Sequence, residues 1–115
     1  MNRGRLADLD EYASSIARAW SRETASTYTQ ADPARGQCSV TALAVHHLLG
    51  GDILKTPTPA GMHLYNRLAG RRVDLTAEQF TTPPFYADLP SDPEEAMADT
   101  SPAQLAALLL TVRKP

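Results

Sequence analysis

The chain has 115 residues, 43% hydrophobic and 21% charged, enough for one small domain with its own core and too apolar for a disordered tail. A net charge of −2 speaks against the basic surface that nonspecific nucleic-acid binding needs, and no apolar run approaches the length of a membrane span. The single cysteine, Cys38, cannot form an internal disulfide, so the fold must rest on its core, as expected of a cytoplasmic protein.

The N-terminus is basic through Arg3 and Arg5, but Asp8, Asp10 and Glu11 interrupt what would be the apolar part of a signal peptide. Leu6, Leu9, Ile16 and Trp20 recur at threes and fours, which predicts a helix over residues 6–20 with Trp20 in the core. Ser21 opens a polar stretch to residue 30 with room for a short helix, although Thr24 stands where a capping box wants an acid or glutamine. Residues 32–36, Asp-Pro-Ala-Arg-Gly, make a turn-rich approach to the cysteine.

Residues 38–49 predict a helix apolar around most of its circumference, hence a buried central one, stopped by Gly50-Gly51. A short strand is expected at 52–55, then a loop at 56–61. Residues 62–68 and 72–75 predict two strands joined across Ala69-Gly70 as a hairpin. Thr76-Ala77-Glu78-Gln79 reads as a capping box opening a helical turn that ends near Phe80. The proline-bearing stretch 81–90 is expected to wrap the surface as irregular chain. Asp92-Pro93 and Ser101-Pro102 each place proline at a first helical position, and the last helix should bury Leu105, Leu108, Leu109 and Val112. With no repeat and no boundary, residues 1–115 form a single domain of α+β class, the central cysteine-bearing helix lying against a small antiparallel sheet.

Cys38 begins that helix, where unpaired N–H groups and a partial positive charge favour thiolate over thiol. A cysteine nucleophile also needs a base and a group to orient it, and the hairpin offers His63 and Asp74. His63, Tyr65 and Arg67 share one strand face; Leu64, Asn66 and Leu68 take the other, where Asn66 serves the fold. If Ala69-Gly70 is the two-residue loop, Asp74 lies opposite Tyr65 and diagonal to His63, within reach of it. If Gly70-Arg71 is the loop, Asp74 faces Arg67 in a surface ion pair. Zinc bound by Cys38, His63 and Asp74 would lack the close paired spacing of such sites, so no metal and no cofactor is expected. His46, about two turns along the helix from Cys38, is too distant to pair with it.

The strings Gly-Gln-Cys-x-Val-Thr-Ala-Leu, Leu-Gly-Gly-Asp-Ile-Leu-Lys, His-x-Tyr-Asn-Arg-Leu and Asp-Leu-Thr-x-Glu-Gln-Phe closely resemble the YunG-like family of small bacterial proteins. Together with Trp20-Ser21 and Asp32-Pro33 the likeness covers roughly residues 20–80. A wider resemblance is to papain-like and transglutaminase-like folds, in which a nucleophilic Cys begins a buried helix and the His and acid come from following strands. It implies a cysteine-dependent hydrolase or acyltransferase with Cys38, His63 and Asp74 as a triad and an amide or ester, a protein or peptide among them, as substrate. Papain-like peptidases carry an oxyanion-stabilising Gln several residues before the Cys, whereas Gln37 immediately precedes it. Gln37 therefore either assists through another geometry or fixes the turn, and the Cys38 N–H is a further oxyanion donor. Tyr65 either hydrogen-bonds in the site or packs the sheet. The rival reading is a catalytically inactive binding or scaffold protein that retains the fold.

Overall fold

The computed structural model describes residues 6–113, so the basic N-terminal tip discussed above lies outside the described residues. Four helices and four strands follow in chain order: α1 (Leu9–Ala19), α2 (Cys38–Leu49), β1 (Asp52–Thr58), β2 (Gly61–Leu68), β3 (Arg71–Val73), β4 (Leu89–Ser91), α3 (Pro93–Met97) and α4 (Pro102–Thr111). A 3-10 turn, Ala77–Gln79, follows β3. The strands form one antiparallel sheet in the order β3-β2-β1-β4. The class is α+β, as expected.

The helix α2 starts at Cys38 and ends at Leu49, and most of its residues from Ser39 to Val45 are buried. It is the centre of the core. Ile16 and Tyr12 of α1, Trp20, Leu108 of α4, and Leu68 and Val73 of the sheet gather around Val40, Ala44, Val45 and Leu49. A second cluster joins Ala42 and Leu43 to Ile53, Leu64 and Ala96. Each fully buried Leu or Ile here stabilises the fold by roughly 1.5–3 kcal/mol relative to an exposed one. Polar groups in the core are paired: Trp20 Nε1 donates to Thr41 Oγ1 at 3.0 Å, and Asn66 Nδ2 donates to the Ala42 carbonyl at 3.0 Å. Both tie α2 to its neighbours, and among the described residues no buried side-chain polar atom lacks a partner.

Two glycines fix the ends of α2. Gly36 has φ 76°, and a Cβ there would overlap Thr27 Oγ1, so the turn delivering Cys38 requires glycine. Gly51 has φ 77° and lies against the Arg67 carbonyl, which lets β1 pair closely with β2 immediately after the helix.

Four expectations need correction. The stretch 21–30 forms turns rather than a short helix: Thr24 Oγ1 accepts the Ser21 N–H at 3.0 Å, but that hydroxyl also bonds Ser21 O and Gln37 and starts nothing further. Strand β1 runs on through Thr56, Pro57 and Thr58, and only Pro59-Ala60 turn the chain. Proline is tolerated because β4 covers β1 only from Ile53 to Lys55, so at Pro57 the strand has become an edge. The irregular stretch 81–90 ends in β4, three residues too short and too proline-bearing to show a period. Leu108 of α4 is fully buried, but Leu105, Leu109 and, just past the helix, Val112 are only partly so.

The hairpin register decides where the site can form. Asn66 pairs with Val73, Arg67 with Arg72 and Leu68 with Arg71, so Ala69-Gly70 is the two-residue loop. Both residues have positive φ, 49° and 82°, the conformation that matches the twist of paired strands. Beyond β3, Asp74 therefore comes alongside Tyr65 and diagonal to His63.

Candidate active site

Leu64, Asn66 and Leu68 of β2 face α2, while His63 and Tyr65 lie on the opposite face. That second face is covered by a strap of extended chain, residues 80–88. Thr56 anchors it, donating to the Phe85 carbonyl at 2.6 Å and accepting from the Ala87 N–H at 2.9 Å. Tyr65 donates to Asp88 Oδ1 at 2.8 Å and accepts the Asp88 N–H at 2.9 Å. Arg72 adds a two-pronged ion pair to Asp88 and lies 4.5 Å over the Tyr86 ring.

Within this layer His63 is 3% exposed and its Nε2 meets Asp74 Oδ2 at 2.7 Å. Tyr65 stacks beside the imidazole at 5.7 Å between centroids, and Phe80 meets it edge-on at 4.7 Å. The ring is thus fixed in plane and in rotation. Asp74 is fixed as firmly: Tyr86 Oη donates to Oδ2 at 2.8 Å, and Thr76 directs its N–H and its hydroxyl to Oδ1, each at 3.3 Å. Gln79 in turn donates to Thr76 Oγ1 at 2.9 Å and to the Thr76 carbonyl at 3.1 Å. A carboxylate held on both oxygens orients the imidazole it accepts from.

Cys38 and His63 line the same cleft, and each shifts the other's protonation. Burial pushes the thiol up, but the His63 hydrogen bond and charge, the Leu64 N–H and the Ser39 hydroxyl outweigh it and hold Cys38 below its ordinary 9.0. Burial alone would push His63 down from 6.5; hydrogen bonds to Asp74 and Cys38 and their charges raise it instead to about 9. Both shifts act in the same sense, toward thiolate beside imidazolium and away from the neutral pair. Cys38 is half-buried and lines a cleft of about 280 Å³ together with His63, Met62, Gln79, Phe80, Arg35 and Thr27. Among the described residues no three His, Cys, Asp or Glu side chains converge as a metal-ligand set.

Gln37 and Tyr65 have their polar groups committed within the protein. Gln37 is wholly buried; its Oε1 accepts from Thr24 at 2.8 Å and its Nε2 points to the Ser21 carbonyl at 3.5 Å, which fixes the turn before α2. The Tyr65 hydroxyl is committed to Asp88, and its ring packs the sheet. Three residues of the site escaped the sequence reading. Phe80 and Gln79 lie in the quoted Asp-Leu-Thr-x-Glu-Gln-Phe string, which marked them without a role. Tyr86 sits in a stretch with no periodicity, so nothing marked it.

A profile of the family described as "YunG protein" matches residues 8–115. A Bacillus subtilis (strain 168) protein named "Uncharacterized protein YunG" is 42% identical over 89 residues, which is 77% of this chain and 77% of that one. No solved structure matches the chain. No helix among the described residues is long and apolar enough to cross a membrane. On the profile and the relative together, this chain belongs to the YunG family.

Proposed function

We propose that the chain is a cysteine-dependent hydrolase or acyltransferase acting on an amide or ester in the cytoplasm, built as a minimal papain-like or transglutaminase-like fold. The observation that carries the reading is His63, held at 2.7 Å by Asp74 and lining one cleft with Cys38. The Cys38 thiolate adds to the carbonyl carbon, and the carbonyl oxygen takes up the negative charge. The N–H of Cys38 at the start of α2 is a donor for that oxygen. The tetrahedral adduct collapses as His63 gives its proton to the leaving amine or alcohol, breaking the C–N or C–O bond and leaving a thioester. Water or an amine then attacks with His63 taking its proton, the C–S bond breaks, and the thiolate returns. Asp74 keeps the imidazole oriented and stabilises its positive form.

The test is the pH dependence of Cys38 alkylation by iodoacetamide in the native protein and in His63→Ala. Wild-type alkylation should show an apparent pKa below 9.0, with a second change near 9 as the imidazolium loses its proton. In His63→Ala the first inflection should climb toward 9.0, and each unit of that climb lowers the thiolate fraction about tenfold at neutral pH. A thiol unreactive until unfolding, or indifferent to His63, would make Cys38 a core residue and the chain a binding scaffold.

A further inference from the structure

We infer that the substrate of this site is a peptide carrying a large apolar side chain within a residue or two of the bond that is attacked. The inference rests on the catalytic reading above and adds the substrate class. Next to the Cys38 cleft lies a second, more open hollow of about 410 Å³, and the two share Thr58, Ala60 and Phe80 as common walls. Its remaining walls include Pro59, Pro83 and Pro84, and no charged residue lines it. One ring joins the hollow to the chemistry: Phe80 lines it and also meets the His63 imidazole at 4.7 Å between centroids. An apolar group seated there is therefore a single ring's width from the imidazole.

The walls are rigid as well as apolar. Prolines have a fixed φ and no N–H to leave unsatisfied when water is displaced. Apolar pockets with a few polar groups at the rim are the usual form of small-ligand subsites. Here the lining includes Thr81 and Thr82, exposed side chains whose hydroxyls are open to a bound group. They suit the polar main chain on either side of an apolar residue. A straight hydrocarbon chain has nothing to offer them. The Cys38 cleft itself also takes in the exposed, polar Arg35 and Thr27, which do not line the hollow. Cleft and hollow together thus offer polar and apolar walls side by side, as an amphiphilic peptide would require.

Chloromethyl ketones test this without requiring turnover, since the thiolate forms an S–C bond while the C–Cl bond breaks and chloride leaves. Three acetylated dipeptide probes would be compared: Gly-Gly, and the two with Phe at either position next to the ketone. Mass spectrometry reads modification of Cys38. At least one Phe probe should modify Cys38 about tenfold faster than Gly-Gly, as burial of a large apolar group implies. That ratio should fall toward one in Pro83→Asp and in Ala60→Trp, which charge or fill the hollow. Equal rates for all three probes on the wild-type protein would overturn the inference. So would a selectivity that both variants keep, and so would a straight-chain hexyl chloromethyl ketone faster than either Phe probe. If iodoacetamide fails to label native Cys38, or labels it independently of His63, the catalytic reading fails first and takes this inference with it.

Discussion

The two faces of the sheet are held by different forces. On the α2 face, Leu64 and Leu68 close against Val40, Ala42, Leu43 and Ala44, and burial of apolar area supplies the stability. On the strap face the ties are side-chain hydrogen bonds, donated by Thr56, Tyr65 and Arg72 and accepted by Asp74, while Phe85 of the strap itself is 85% exposed. The proposed nucleophile belongs to the first face and the proposed base and its carboxylate to the second. The difference teaches that this fold separates placement from tuning. A close-packed core sets where the sulfur sits, and a polar network sets how the imidazole is charged and aimed.

Perturbing each face should expose that division. The largest effect is expected from Leu68→Ala, which empties a fully buried position and should cost about 2–5 kcal/mol in denaturant unfolding. The protein that remains folded should keep the wild-type pH profile of Cys38 alkylation. If the profile moves as well, the two faces are coupled and the division fails. Asp74→Asn should do the reverse. It removes a main cause of the raised His63 pKa, so the upper inflection near 9 should move down toward 6.5. Because the wild-type imidazole holds its proton more tightly folded than unfolded, the stability it lends is full below 6.5 and fades as pH rises through about 9. The variant should therefore be less stable than wild type at pH 6, with the gap closing above about 9, as thermal melts across that range would show.

Tyr86→Phe is milder. It deletes one of the hydrogen bonds to the Asp74 carboxylate and should cost about 1–2 kcal/mol, while alkylation at neutral pH persists. Complete loss of the thiolate–imidazole signature in this variant would mean that the strap, rather than the hairpin, orients Asp74. Smallest of all should be Phe85→Ser, within about 0.5 kcal/mol of wild type, because the ring contributes almost nothing to the buried face. A large loss there would show that the strap depends on apolar contact after all.

What could be read from the sequence follows the same division. The helix α2 announced itself through a run of apolar residues between Gly36 and Gly50, and the positions of Cys38 and Leu49 at its ends followed from those glycines. The hairpin was legible as two strands, yet its register depended on which two residues turned, and spacing alone left Asp74 either opposite Tyr65 and diagonal to His63, or facing Arg67. Polar ties carry no period. Nothing in Phe85-Tyr86-Ala87-Asp88 distinguishes a strap bonded to Thr56, Tyr65, Arg72 and Asp74 from a free loop, because each bond joins residues far apart in the chain. Gln37 illustrates the opposite hazard. Its place beside Cys38 invites a chemical role, while its amide lies wholly within the protein, bonded to Thr24.

The Ala69-Gly70 turn would attract anyone choosing a site for a tag or an inserted peptide: both residues are exposed, small and away from the cleft. It is a poor choice. Those two residues set the count that brings Asp74 level with Tyr65, and side chains alternate faces with every residue along a strand. One extra residue that shifted the pairing would turn the carboxylate away from His63 while leaving every functional group in the chain chemically intact. The arithmetic of a surface turn, as much as the identity of any side chain, determines whether this site exists.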